Sequence, residues 1–213
     1  MNKIKAIIFD MDGVIVDSET VNYHAMLKTL EKYDISFGFD YYSQFPGGSS
    51  IEAFQKTKDD FGADFDVMQM VHKFNDMRKV VAKEKGWTPV KNAVDVVKYC
   101  AEKYALALAS GSAIDIIYEV TESFEIKTLF KSLISGESIE HCKPAPDIFL
   151  KSAENIGISP ENCLVIEDSH NGVLAAKAAN MACIGFVNPH SGNQDLSAAD
   201  HIITDMADVK LFV

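Results

Sequence analysis

Two carboxylates stand one residue apart in the stretch AIIFDMDGVIVDS, residues 6–18: Asp10 and Asp12, with Gly13 behind them and Asp17 close by. They follow an apolar run that reads as a buried strand. Like charges so placed repel, and folding alone gives no reason to carry that cost. A cation must sit there, or one acid must hold a proton. A D-x-D pair standing by itself reads equally well as two solvated turn acids.

Other chemistry-bearing residues recur in the same setting, just past an apolar run. Ser110, Gly111 and Ser112 follow ALALA at residues 105–109. Lys143 lies before Pro144 in SGESIEHCKPAP, and Glu167 and Asp168 follow CLVI at residues 163–166. Each alone has an ordinary reading, as a helix cap, a surface charge or dipole compensation. Together they are an oxygen-rich acidic set that suits Mg²⁺. Beside it stand a Ser and amide groups at a helix start, suited to phosphoryl oxygens, and a Lys that adds positive charge. That combination reads as phosphoryl transfer, in which a carboxylate can also be the covalent nucleophile. The chemistry does not say which of Asp10 and Asp12 would attack.

The elements that must position these residues are short apolar runs: residues 6–9, 105–109, 133–134, 163–166, 182–187 and 202–203. They do not alternate polar with apolar, so both faces should be covered. Helical patterns lie between them at residues 90–103, 113–123, 147–156 and 172–180. The alternation predicts an α/β fold: a three-layer Rossmann-like core with a mostly parallel sheet. Ligands of such sheets bind beyond the strands' carboxyl ends, where the chemistry gathers.

Residues 18–85 break the rhythm. They hold helix formers, aromatics at helical spacing (Phe54, Phe61, Phe65, Phe74) and loop signals at Gly38 and FPGGSS. This predicts a small helical cap domain at residues 17–86, inserted after the first strand of a core made of residues 1–16 and 87–213. Asp17 is expected at a helix start near the hinge. Lys73, Arg78 and Lys79 could meet a second anionic group, but a solvated helix face is the preferred reading.

The formal net charge of −11 argues against nucleic acid and anionic membranes as partners. No apolar run approaches the roughly 18 residues of a membrane helix, and the N-terminus does not read as a signal peptide. None of the four cysteines is in a C-x-x-C pair and three sit beside apolar segments, which suggests buried thiols in a reducing compartment, so the cytoplasm is expected. No zinc motif is present. With no long hydrophobic interface segment, a monomer is expected.

The segments DMDGVIVDS, ALASGSA, KPAPDIF and VIEDSHNGVLAAKAA resemble, in order, the four signature motifs of the haloacid dehalogenase (HAD) superfamily. The helical insert is similar to the cap of its β-phosphoglucomutase-like and sugar-phosphatase subfamily. The resemblance implies Mg²⁺, Asp10 as nucleophile, and Asp12 as general acid/base that also offers its main-chain carbonyl to the metal. Ser110 and Lys143, with Gly111 and Ser112, would hold the phosphoryl group. Asp168 and Glu167 would complete the metal site. The second Asp argues against the family's dehalogenases and phosphonate hydrolases.

A mutase of the family would carry a cap His where this chain has Asn22, with His24 two residues on, and a cap Arg where it has Ser50. Asn22, His24, Gly48 and Ser49 are the cap's candidate substrate residues. The expected activity is Mg²⁺-dependent hydrolysis of small phosphorylated metabolites, sugar phosphates foremost, through an aspartyl-phosphate. A phosphomutase is the first alternative. A phospho-acceptor signalling module is the second, disfavoured because receiver domains phosphorylate an Asp after a later strand and carry no such insert.

Overall fold

A computed structural model describes residues 4–45 and 49–213. Gly48 therefore lies outside the described residues. The chain divides into two compact units, residues 1–17 with 88–213, and residues 18–87.

The first unit is built on a six-stranded sheet. Its strands are β1 (Ala6–Phe9), β4 (Ala105–Ser110), β5 (Phe130–Ser135), β6 (Cys163–Glu167), β7 (Ala182–Phe186) and β8 (His201–Ile203). The order is β5-β4-β1-β6-β7-β8, and every pairing is parallel. All carboxyl ends thus lie on one edge, with β1 between β4 and β6. Every residue of β1 is buried. Ala6 and Ile8 share a cluster with Phe149 of α7 (Asp147–Ile156) and Val173, Ala175 and Ala176 of α8 (His170–Ala178). The alternate residues Ile7 and Phe9 are buried as well, so both faces of β1 are covered. This accounts for the unbroken apolar runs and yields the Rossmann-like α/β core. Helices α5 (Ala93–Ala101) and α6 (Ile114–Ser123) complete the strand–helix alternation.

A feature that no sequence pattern suggested is a two-stranded ribbon. β2 (Val16–Asp17) pairs antiparallel with β3 (Thr88–Pro89) where the chain leaves and re-enters this unit. Asp17 is therefore a strand residue rather than a helix start. Ser18 takes the position before α1 (Glu19–Leu30).

The second unit is helical. It comprises α1, the short α2 (Phe39–Tyr42), α3 (Ser50–Phe61) and α4 (Val67–Lys85). Its core contains Leu30, Tyr42, Phe54, Phe65, Met70 and Phe74. The Phe54 and Phe74 rings meet edge-on at 5.6 Å between centroids, a favoured aromatic geometry. The solvated reading of the basic residues of α4 fails for Arg78. It is 4% exposed, with its guanidinium 5.8 Å from the Phe74 ring centroid and 6.0 Å from that of Trp87. An Arg stem is apolar and its planar head stacks on rings, so a helix can turn one inward. Lys73 donates to the Thr29 carbonyl at 3.2 Å. No helix among the described residues is long and apolar enough to cross a membrane.

Candidate active site

The carboxyl edge of the sheet brings the acidic set together. β1 ends at Phe9 and delivers Asp10. The Asp10 N–H still donates to the Ile166 carbonyl of β6 at 3.0 Å, so its backbone is held in the sheet. β6 ends at Glu167, and Asp168 follows. Asp10, Glu167 and Asp168 are 6%, 1% and 5% exposed. Each offers an oxygen within 4.8 Å of the others'.

Lys143 arrives from the segment before α7. Its Nζ donates to Asp10 Oδ1 at 2.6 Å and to Glu167 Oε1 at 2.6 Å. It also lies 5.0 Å from the Phe149 ring centroid. Glu167 Oε2 accepts from the Ser169 N–H (2.8 Å) and the Ser169 hydroxyl (2.9 Å). Both Glu167 oxygens are thus engaged. The site is possible only because Gly172, in the first turn of α8, has no side chain: a Cβ there would collide with the Glu167 carboxylate.

Gly13 is the second such position. Its φ of 78° lies in the left-handed region, and its N–H closes a turn onto the Val16 carbonyl at 2.8 Å. A Cβ at Gly13 would overlap Asp168 Oδ2. The glycine therefore turns the chain out of β1 and admits Asp168 beside that turn.

The electrostatics follow from one Lys among several buried acids. Burial pushes the Asp10 carboxyl up to about 8; Lys143 opposes this, while Glu167 and Asp12 add to it. Burial also raises Asp168 well above the carboxylate range, reinforced by Glu167 and Asp10. Lys143 is held above its ordinary value because Asp10 and Glu167 outweigh the burial that disfavours its charge. The cluster is short of positive charge. Among the described residues, the hydrogen bonds to the two aspartates fall on Asp10 Oδ1 and Asp168 Oδ2, which leaves Asp10 Oδ2 and Asp168 Oδ1 open to a further partner. Two unclaimed oxygens of a hard donor set, in an electron-rich and nearly buried position, fit a small divalent cation.

Asp12 lies apart from that set by its side chain. Asp12 Oδ2 accepts from the Ser110 hydroxyl (3.1 Å) and the Ser112 hydroxyl (2.7 Å). The Ser112 N–H donates to Ser110 Oγ at 3.0 Å. Ser112 is in turn fixed through its carbonyl, which accepts from the Ser135 hydroxyl at the end of β5 (2.7 Å). Gly111 is exposed between the two serines. The two aspartates of the D-x-D pair thus face different partners: Asp10 a Lys, Asp12 two hydroxyls.

The residues expected from the helical unit sit within it. Asn22 Nδ2 donates to the Ser18 hydroxyl at 3.2 Å. His24 is half-buried, and burial, with Lys85 and Lys28 nearby, lowers its pKa from 6.5. Ser49 caps α3 in a reciprocal box with Glu52, each side chain accepting from the other's N–H at 3.2 Å.

Sequence reasoning missed a further group at the same edge. After β7, Asn188 and Ser191 are buried, and both reach the turn around Gly13 and Asp168. Beside them His190 Nδ1 lies 2.6 Å from Asp17 Oδ2. The signal was available: NPHSGN follows an apolar strand as the other motifs do.

Comparisons with known proteins give the family and the fold. A profile of the haloacid dehalogenase-like hydrolases matches residues 7–186. Hexitol phosphatase B of Escherichia coli (strain K12) is 28% identical over 98% of this chain and 92% of its own length. Fructose-1-phosphate phosphatase YqaB of the same strain is 28% identical over 84% of this chain and 94% of its own. In fold, the chain resembles CbbY from Rhodobacter sphaeroides, solved in complex with phosphate. The TM-score is 0.84 at 19% identity, covering 97% of this chain and 96% of that one. With the profile spanning β1 to β7 and including Asp10, Asp12, Ser110, Lys143, Glu167 and Asp168, the chain belongs to the haloacid dehalogenase-like hydrolases.

Proposed function

We propose that this protein is a Mg²⁺-dependent phosphatase of small phosphomonoesters, sugar phosphates foremost, acting through an aspartyl-phosphate on Asp10. The observation that carries the reading is the convergence of Lys143 with Asp10 and Glu167 at 2.6 Å each, next to Asp168. A lysine between two buried carboxylates, with two further oxygens unclaimed, is a site arranged to gather a cation and an anion together.

Asp10, Asp168 and the main-chain carbonyl of Asp12 would hold the metal, with Glu167 behind them. When bound, the cation supplies positive charge against the phosphoryl oxygens and keeps Asp10 ionised. Lys143 acts on Asp10 in the same sense, and its third N–H, 3.5 Å from the Ala109 carbonyl, is the donor that can turn to the phosphoryl group. An oxygen of Asp10 attacks phosphorus, and the bond from phosphorus to the ester oxygen breaks. Asp12 gives its proton to that oxygen, so the product leaves as a neutral alcohol. Asp12 then takes a proton from water as the water oxygen attacks the same phosphorus. The Asp10–phosphorus bond breaks, inorganic phosphate leaves and Asp12 regains its proton. The Ser112 hydroxyl holds Asp12 ready for both transfers. The Ser110 hydroxyl, which donates to Asp12 without substrate, turns its one proton to the phosphoryl oxygens when substrate binds, and the Gly111 amide adds a second donor.

Two named relatives support the substrate class, since one is a fructose-1-phosphate phosphatase and the other a hexitol phosphatase. The mutase alternative lacks support: Asn22 and Ser50 stand where the subfamily's mutases carry His and Arg. The net charge of −11 supports a small metabolite over nucleic acid as the partner. The test is hydrolysis of p-nitrophenyl phosphate in Mg²⁺ and in EDTA, with Asp10→Asn as control. Turnover that needs Mg²⁺ and is lost in the variant is expected. Full turnover in EDTA, or in Asp10→Asn, would overturn the reading. A kcat/KM screen of phosphorylated sugars then ranks substrates.

A further inference from the structure

The segment after β7 enters the site from a strand that contributes none of its carboxylates. Asn188 and Ser191 are 6% and 4% exposed, so each polar group must be satisfied within the protein. Ser191 Oγ donates in a short hydrogen bond to Asp168 Oδ2. Asn188 Nδ2 donates to the Gly13 carbonyl at 2.8 Å. The two residues are tied to each other, since the Ser191 N–H donates to the Asn188 carbonyl at 3.2 Å. Asn188 Oδ1 accepts from the His190 N–H at 2.8 Å. Gly13 closes the group, because a Cβ there would meet Asp168 Oδ2 and lie 2.8 Å from Ser191 Oγ. Three chain segments, from β1, β6 and β7, are interlocked at this point.

A serine that merely satisfied its own loop would donate to a nearby backbone carbonyl. Ser191 instead gives its one proton to the buried acid. A hydroxyl donating to a carboxylate favours the charged form and fixes the plane of the carboxyl group. With Oδ2 so occupied, Asp168 Oδ1 is the oxygen left for a cation. Asn188 does the corresponding work on the Asp12–Gly13 turn, whose backbone leads directly from the first motif.

We propose that Ser191 and Asn188 are positioning residues for the cation site. Ser191 orients Asp168 and Asn188 holds the Gly13 turn against it. The inference rests on the divalent-cation reading given above.

Calorimetric titration of the full chain with MgCl₂ tests it, on wild type, Ser191→Ala, Ser191→Thr and Asn188→Ala. Loss of such an outer partner costs roughly 10–100-fold in metal affinity, which is expected for Ser191→Ala. Asn188→Ala is expected to weaken binding as well. Ser191→Thr keeps the hydroxyl and should restore it. In turnover, Ser191→Ala should raise the Mg²⁺ concentration for half-maximal rate far more than it lowers kcat at saturating Mg²⁺. A merely structural serine would instead lower the urea midpoint in EDTA with Mg²⁺ affinity unchanged. Should the alanine variant not fold, Ser191→Cys, with its weaker donor, should bind Mg²⁺ less well than Ser191→Thr. Wild-type affinity in whichever of Ser191→Ala and Ser191→Cys folds overturns the inference alone. A wild type that binds no Mg²⁺ overturns the cation reading and this inference together.

Discussion

Replacing Lys143 by Met keeps an unbranched chain of similar length and removes the charge that separates Asp10 from Glu167. The Lys143 side chain is 16% exposed, against 8% and 1% for the two acids, so water cannot take over its role. Removing one partner of a buried ion pair costs about 3–5 kcal/mol. The structure gives an independent route to that figure. Without Lys143 the cluster must bind one further proton to recover its charge balance. Holding a proton at pH 7 on a carboxyl that in the unfolded chain has its ordinary pKa of 3.8 costs about 1.4 kcal/mol per pH unit, or about 4 kcal/mol. The same step at about pH 5 costs only about 1.6 kcal/mol.

The sign follows from proton counts. The folded variant binds more protons than its unfolded chain, so its stability rises as pH falls. Urea unfolding of wild type and Lys143→Met in EDTA should therefore show a deficit of about 4 kcal/mol at pH 7 that shrinks by more than half near pH 5. Equal deficits at both pH values would refute the electrostatic reasoning, and so would a deficit near zero at pH 7.

Gly13→Ala places a side chain at φ 78° and against Asp168, so a stability loss of roughly 1–3 kcal/mol and loss of phosphatase turnover are expected by urea titration and assay. Burial pushes the Cys100 and Cys163 thiols up to about 11 and Cys183 up to about 12, while Cys142 is exposed. A disulfide exchange reagent should therefore modify Cys142 fast in the folded protein and the other three only on unfolding, as peptide mapping would show. Burial pushes Asp200 up, but the Lys177 ammonium and the Cys183 N–H outweigh it, and its pKa falls below 3.8. Its contribution is present above 3.8 and lost as pH falls further, so Asp200→Asn should lower the thermal midpoint at pH 7 and match wild type in strong acid.

Much of the core was legible because its strands are buried on both faces. The runs at residues 6–9 and 163–166 could be read as strands from apolar continuity alone, and the parallel order followed from the helices between them. The candidate site was legible for a related reason: Ser110 and Glu167 end strands, Asp10 follows one and Lys143 lies in a loop after another, and a parallel sheet brings those ends to one edge. The ribbon of Val16–Asp17 and Thr88–Pro89 was hidden because two-residue strands have no periodicity, and a proline does not announce a strand. Ser191 and Asn188 were missed because their types are common in turns and their roles depend on contacts far along the chain, 23 residues away for Ser191 and 175 for Asn188. Arg78 was misread because a cation on an amphipathic helix is ordinarily solvated, and the Phe74 and Trp87 rings beside it are seen only once the helices pack.

The proposed hydrolysis turns on Asp10 becoming covalently phosphorylated. Enzyme mixed with excess sugar phosphate and Mg²⁺, quenched in acid during turnover and digested, can be examined by peptide mass spectrometry. Phosphate on the peptide bearing Asp10, absent from Asp10→Asn and cleared once substrate is exhausted, is the predicted result. Rapid substrate hydrolysis with unmodified Asp10 at every quench time, or phosphate on another residue, would contradict it.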